Sequence, residues 1–208
     1  MSAPHPITPA QFIGAWRSSP FAGLDKAPWL ITQQLVDIIA QLLATLGQEF
    51  SIDGDAAVHD SATIEAGAVI KGPAIIGPDC FLAAGAYLRG GVFLDRGCII
   101  GPGAELKTSI LFQQTKLAHL NFVGDSILGA NVNVEAGAII ANYRNELADK
   151  EIRIEHDGVE VVTGVDKFGA LVGDGVRIGA NAVIAPGAII GRKQTIPRLA
   201  LVDQYPSD

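Results

Sequence analysis

From Val58 onward a large apolar residue recurs at every sixth position: Val58, Ile64, Ile70, Ile76, Leu82, Leu88, Leu94, Ile100, Leu106 and Phe112. Four residues beyond the first nine of these stand Ala62, Ala68, Ala74, Cys80, Ala86, Val92, Cys98, Ala104 and Ile110, most of them small. A period of six fits neither a 3.6-residue helix nor a two-residue strand alternation. It predicts a solenoid in which each hexapeptide supplies one face and its turn, three make an 18-residue coil, and coils stack ~4.8 Å apart. The phase slips after Phe112. It resumes as Phe122, Leu128, Val134 and Ile140, and again as Val172, Ile178, Ile184 and Ile190. Between these last two stretches lies a polar insertion, 144–167. Its alternating runs, 151–155 and 159–162, flank His156-Asp157-Gly158 and predict a β-hairpin projecting from the solenoid.

Residues 1–50 lack the sixfold pattern. Segment 28–46 reads as one amphipathic helix, with Ile31, Leu35, Ile38, Ile39, Leu42, Leu43 and Leu46 on its apolar face. Pro28 suits the first turn and Gly47 the stop. A solenoid end leaves strand edges unpaired, so this helix is expected to cap the N-terminal end, with Trp29 packing it onto the coils. From Gln194 the pattern fades, and Pro197 and Pro206 mark a tail. The expected organisation is an α-helical cap at 1–50, an all-β parallel β-helix at 51–196 and a tail at 197–208. The repeat class implies left-handed winding, an exception to the right-handed crossover rule.

Composition sharpens this reading. Aromatics are 6% of the 208 residues against 24 glycines, which suits a narrow core of small and branched side chains. A formal charge of -7 without a run of Lys or Arg argues against a nucleic-acid partner. Cys80 and Cys98 sit in no metal-ligand spacing, and no metal is expected. Being 18 apart at small inward positions, they read as buried thiols in stacked coils. The N-terminus shows no basic stretch followed by an apolar run. The longest apolar segment, 29–46, is interrupted by Gln33, Gln34, Asp37 and Gln41 and is too polar to span a bilayer. A soluble cytoplasmic protein without a membrane partner is expected.

Candidate chemistry follows from the 18-residue register. Arg89 and Lys107 each follow an inward aliphatic and stand one above the other, ~5 Å apart. Like charges at that distance repel. Either an anion such as phosphate lies between them, or each is a surface cation paired with a carboxylate such as Asp95 or Glu105. His119 falls in the register break and is either structural or a base. His59 is expected at the surface and His156 solvated in the hairpin turn. Asp125 either orients a neighbour or serves the turn after Gly124.

The stretch His119-Leu120-Asn121-Phe122-Val123-Gly124-Asp125, followed by Gly129, Asn131-Val132-Asn133, Ala136-Gly137-Ala138 and Asn142-Tyr143, resembles the acetyltransferase domain of the bifunctional N-acetylglucosamine-1-phosphate uridylyltransferase/glucosamine-1-phosphate acetyltransferases. Lys167-Phe168-Gly169-Ala170-Leu171-Val172-Gly173-Asp174 looks like archaeal sugar-phosphate nucleotidylyltransferases bearing the same β-helix. The resemblance covers about 52–191, and no Gly-rich nucleotide-binding stretch accompanies it. It implies a homotrimer with intersubunit sites, acetyl-CoA as co-substrate and a sugar phosphate as acceptor. It also implies roles for matching positions: His119 as general base, Arg89 and Lys107 on the phosphate, and Asn133 on the sugar. Asn142 and Tyr143 lie near the thioester, and Ala136 and Ala180 on the coenzyme. Three positions depart from the pattern. Phe122 replaces a sugar-binding tyrosine, Glu135 a glycine beside the thioester, and Ala180 a serine. The expected activity is acyl transfer from acyl-CoA to the amine of an amino-sugar phosphate. The alternatives are a non-catalytic trimeric module that binds a sugar phosphate or nucleotide sugar, and a structural trimer that partners a nucleotidyltransferase chain.

Overall fold

The computed structural model describes residues 7–206. The first six residues of the expected cap and the last two of the expected tail lie outside the described residues. The chain forms a parallel β-solenoid with three strand positions per coil. Successive coils pair 18 residues apart, as in Ala74↔Val92, Phe81↔Ile99 and Tyr87↔Glu105. Inward residues such as Ile76, Leu82, Leu88, Leu94, Ile100 and Leu106 are fully buried, with Ala74, Cys80, Ala86, Val92, Cys98 and Ala104 filling the corners between them. Cys80 and Cys98 are free, buried thiols in adjacent coils.

The phase slip has a local cause. Arg89 pairs with Lys107, but Val92 pairs with Ser109, so the corner after Lys107 is one residue shorter than the corner after Arg89. The same shortening recurs after Gly124, and Thr108 and Asp125 turn these corners at φ of 48° and 45°. Ser109 and Ser126 take the small inward positions. The Ser109 hydroxyl donates to the Lys107 carbonyl (2.8 Å) and accepts from the Ser126 N–H (3.2 Å). The Ser126 hydroxyl donates to the Gly124 carbonyl (2.7 Å) and accepts from the Ala170 N–H (3.0 Å). Buried hydroxyls are tolerated when paired in this way. The shortening corrects three expected positions. Leu111 and Val123 point inward, whereas Ile110, Phe112 and Phe122 point outward.

The solenoid has three unlike faces. Its covered face, strands at 74–76, 92–94, 109–111, 127–128, 170–172 and 188–190, presents Ile75, Phe93, Ile110, Ile127, Leu171 and Ile189 outward. An apolar outward row needs a partner, and the N-terminal segment supplies one. Ile13, Trp16, Phe21, Trp29, Ile31, Leu35 and Ile39 pack on it, together with Ile152, Ile154 and Phe168 of the insertion. Phe21 meets Phe93 edge-on at 5.0 Å and stacks on Trp16 at 5.7 Å, while Trp29 meets Phe168 edge-on at 5.8 Å. The cap is therefore lateral, correcting the expectation that it closes the N-terminal end. That edge is paired instead by strand Phe50–Asp53, antiparallel to Ala56–His59.

Among the described residues three α-helices lie in this cap, α1 (Pro9–Phe12), α2 (Pro28–Gln33) and α3 (Leu35–Leu43), with a 3-10 turn at Trp16–Ser18. The single helix expected over 28–46 breaks at Gln34, where the chain bends onto the face. Gly91 seats the start of α3. Its φ is +90°, and a Cβ there would lie 3.1 Å from the Val36 nitrogen, too close for an unaltered fit. The insertion forms the expected hairpin, with Arg153–His156 antiparallel to Val159–Val162. It lies on the covered face rather than projecting freely, because Ile152 and Ile154 are buried there. His156 is accordingly half-buried, 6.3 Å between ring centres from Phe12.

The polar face is a seven-stranded ladder whose outward residues include Lys116, Asn133, Arg177 and Thr195. The open face presents Val69, Tyr87, Glu105, Phe122, Ile139, Val183 and Leu201. Val69, Ile139, Val183 and Leu201 on it are 39–68% exposed. The coil also continues past the expected boundary at 196. Leu201–Val202 pairs with Val183–Ile184, since Pro197 falls in a corner and interrupts no ladder. Buried Arg144 pins the segment beyond, donating to Asp203 (2.6 and 2.9 Å) and to the Pro186 carbonyl (2.9 Å). No helix among the described residues is long and apolar enough to cross a membrane.

Packing on the covered face sets the first expected outcome. Phe21→Ala lowers stability by about 3–5 kcal/mol, whereas Leu30→Ala, at a half-exposed site of the same segment, changes it by about 0.5 kcal/mol. Urea denaturation of both variants checks this; equal effects would contradict the lateral packing.

Candidate active site

The shortened corners gather one set of polar side chains at the margin between the open and covered faces. Arg89 and Lys107 are paired in register, as the 18-residue spacing requires. Each is matched by a carboxylate. Arg89 donates through Nε to Glu105 Oε1 at 2.8 Å, and its Nη2 lies 2.7 Å from the same oxygen. Lys107 Nζ donates to Asp125 Oδ2 at 2.6 Å. Asp95 is no partner of either; it accepts the Arg96 N–H instead. Asp125 is nearly buried and also accepts from Asn142 Nδ2. Gly124, opposite Lys107, leaves room for two neighbours. A Cβ there would fall 2.8 Å from Asn142 Cγ and 2.9 Å from Phe122 Cε1. The structure thus brings Arg89, Lys107, Phe122 and Asn142 together, with Glu105 and Asp125 as added members. Tyr143 stands beside Asn142, 37% exposed, with the Lys150 ammonium 5.3 Å from its ring centre.

His119 lies at the opposite margin, where the polar face turns into the open face. Register carried around this corner stacks His119, Ala136, Ala180 and Arg198, one per coil. The Gly137, Asn181 and Leu199 N–H groups donate to the carbonyls of His119, Ala136 and Ala180 at 2.9–3.0 Å. The His119 imidazole is exposed and bonds to no other described residue. Beneath it Asn121 is 97% buried (3% exposed), its amide donating to the Glu135 and Ala138 carbonyls at 2.8 and 3.2 Å. Ala136 and Ala180 put only small side chains on this column.

The Glu135 side chain runs along this column towards Arg198. Its Oε2 accepts from the Ala180 N–H at 2.8 Å and from Arg198 Nε at 2.8 Å, and its Oε1 accepts from Arg198 Nη2 at 2.9 Å. The Arg198 guanidinium, then the Ala180 N–H, hold the Glu135 carboxyl below the usual carboxylate range, and Glu135 raises Arg198 in return. Asn133 is exposed on the polar face, in register with Lys116 and Arg177. It borders a depression of about 230 Å³ shared with Glu135, Arg177, Thr195 and Arg198.

The expected site residues therefore divide. Arg89, Lys107, Phe122, Asn142 and Tyr143 occupy one margin of the open face, and His119, Ala136 and Ala180 the other, with Asn133 around the corner. Two strand residues and a corner separate the margins, on the order of 10 Å or more. Sequence reasoning missed Arg198 and the pairing of Lys107 with Asp125. The 18-residue step from Ala180 to Arg198 would have found the former had the repeat been followed to Ile196 and Val202. Among the described residues no group of three His, Cys, Asp or Glu side chains could hold a metal ion.

Comparison with known proteins agrees with this architecture. The bacterial transferase hexapeptide family (six repeats) matches residues 55–90, and the hexapeptide repeat of succinyl-transferase matches 169–196. A bifunctional sugar-1-phosphate nucleotidylyltransferase/acetyltransferase of Sulfurisphaera tokodaii is 31% identical over 206 residues, covering 98% of this chain and 50% of that protein. The bifunctional protein GlmU of Methanococcus maripaludis is 41% identical over 100 residues, covering 48% of this chain and 24% of that protein. The chain spans half or less of these relatives' length. A hexapeptide transferase family protein from Anaplasma phagocytophilum aligns over 74% of the chain and 76% of its own, at 17% identity and a TM-score of 0.39. The chain thus carries hexapeptide transferase repeats towards both ends of its solenoid, and over that solenoid it resembles the bifunctional sugar-1-phosphate nucleotidylyltransferase/acetyltransferases.

Proposed function

We propose that this protein transfers an acyl group from acyl-CoA to the amine of an amino-sugar phosphate, with His119 as general base, and that it does so as a homotrimer. One observation carries the reading: two stacked cations, each held by one carboxylate, and a free imidazole flank the two margins of an exposed, largely apolar face. A cyclic trimer about an axis along the solenoid sets one margin of each copy against the opposite margin of its neighbour, through a closed heterologous contact. That contact buries Val69, Ile139, Val183 and Leu201 and joins Arg89 and Lys107 of one copy to His119 of the next.

The chemistry suits these groups. An ammonium is no nucleophile, and imidazole is the side chain that accepts a proton near neutral pH. With the phosphate of the acceptor on Arg89 and Lys107, His119 takes the proton from the amine as nitrogen attacks the thioester carbonyl. An N–H on the Ala136–Ala180 column stabilises the oxyanion. The intermediate collapses with loss of the thiolate. To admit a phosphate, Arg89 and Lys107 exchange Glu105 and Asp125 in part for the ligand; Arg89, at 38% exposure, is the more accessible. The acetyltransferase named in the Sulfurisphaera tokodaii relative supports the same chemistry. One observation favours a second reading, a sugar-phosphate-binding module without catalysis: the Ala180 N–H, a donor-side contact, is already occupied by Glu135.

Arg89→Ala is expected to raise KM for glucosamine 1-phosphate about tenfold with little change in kcat, consistent with the loss of a charge-assisted contact made in both ground and transition states. Steady-state kinetics test this, and an unchanged KM removes Arg89 from the acceptor site. At glucosamine 1-phosphate concentrations well below KM, where each is impaired alone, His119→Ala and Arg89→Ala are expected to recover roughly a quarter of the wild-type rate when co-assembled in equal amounts. Random mixing leaves about that share of interfaces with both groups intact. No recovery would place both groups in one copy's site or outside catalysis.

A further inference from the structure

The corner column His119–Ala136–Ala180–Arg198 advances one coil per residue, so Arg198 stands about 14 Å along the column from His119. Between Ala180 and Arg198, at the far end of that column, lies the Glu135 carboxylate, held by three hydrogen bonds of 2.8–2.9 Å from the Ala180 N–H and from Arg198. These donors form a cradle for an anion, and a side chain of the same chain now fills it. The pair is a weak lock. Arg198 and Glu135 have side-chain exposures of 73% and 35%, and exposed ion pairs are easily exchanged for other partners. Nothing in the fold needs Glu135 here. Its own backbone N–H is used in the ladder to Ile178, and its side chain lies outside the core.

We propose that Glu135 and Arg198 form a latch at the far end of this column, opened when the diphosphate of the acyl donor takes Arg198 from Glu135. This rests on the acyltransfer reading. A thioester held beside His119 lays its pantetheine arm along the column, passing Ala136 and Ala180. Pantetheine in extended form is of the same length as the step from His119 to Arg198, which brings the diphosphate to the guanidinium. With Arg198 engaged, Glu135 swings out and frees the Ala180 N–H for an amide carbonyl of the arm. Donors lacking a diphosphate cannot make this exchange and bind more weakly. The latch is thus a specificity determinant for the donor, and it adds no covalent step.

Titration calorimetry on the full chain tests the latch with two probes, acetyl-CoA and S-acetylpantetheine. The wild type is expected to bind acetyl-CoA and to bind S-acetylpantetheine at least tenfold more weakly. Glu135→Gly removes the plug and is expected to tighten S-acetylpantetheine about tenfold, leaving glucosamine 1-phosphate binding within twofold. Glu135→Gln, which retains the side-chain volume, is expected to fall between. Arg198→Ala is expected to weaken acetyl-CoA while sparing S-acetylpantetheine. If Glu135→Gly and wild type bind both donors alike, the latch is overturned and the acyltransfer reading stands. If neither protein binds acetyl-CoA, the latch is overturned together with the donor half of that reading.

Discussion

The structure depends on one constraint: an apolar side chain at every sixth residue must enter a core too narrow for anything else. Burial of Leu82, Leu88, Leu94 and their successors forces the backbone to turn three times per coil. The parallel ladder then holds each coil at strand spacing over the last. Side chains 18 residues apart in sequence become neighbours whether or not they attract. That is how Arg89 comes to lie beside Lys107 and how Cys80 comes to lie beside Cys98. It also explains why charge in the corners is compensated locally, by Glu105 and Asp125 at one margin and by the Glu135–Arg198 pair at the other.

The departures from this constraint give the solenoid its individuality. Two corners, after Lys107 and after Gly124, lack one residue and are closed by paired serine hydroxyls. The shortening brings Lys107, Asp125 and Asn142 into contact beside a glycine. On another face the outward positions are apolar, and a covering layer of N-terminal helices and the 144–167 hairpin removes them from water. The open face also has apolar outward residues, Val69, Ile139, Val183 and Leu201, and no cover among the described residues. The asymmetry between these two faces is the ground for the proposal that a second copy of the chain covers the open one.

Much of this was legible in the sequence because the solenoid converts spacing into position with little ambiguity. The coil, the stacked cations and thiols, the hairpin and the helical N-terminal segment were all readable. Ile110, Phe112 and Phe122 were misplaced because a one-residue deletion in a corner leaves no mark in hydrophobicity: Ile110-Leu111-Phe112 is apolar in every phase. The cap was put at an end rather than along a face because the outward row Ile75, Phe93, Ile110 and Ile127 lies outside the inward pattern. Arg198 went unnoticed since Pro197 suggested the end of the coil, whereas a corner tolerates proline. The division of the expected site between two margins follows from strand width, which no motif records.

The central claim is that the site is completed by a neighbouring copy through the open face. Sedimentation equilibrium at micromolar concentration tests it directly, on the wild type and on Val183→Asp. The account predicts a mass three times that of the single chain for the wild type and dissociation for the variant, whose substitution lies on a half-exposed strand position and leaves each coil folded. A wild type that sediments as one chain, or a variant that retains the threefold mass, would contradict it.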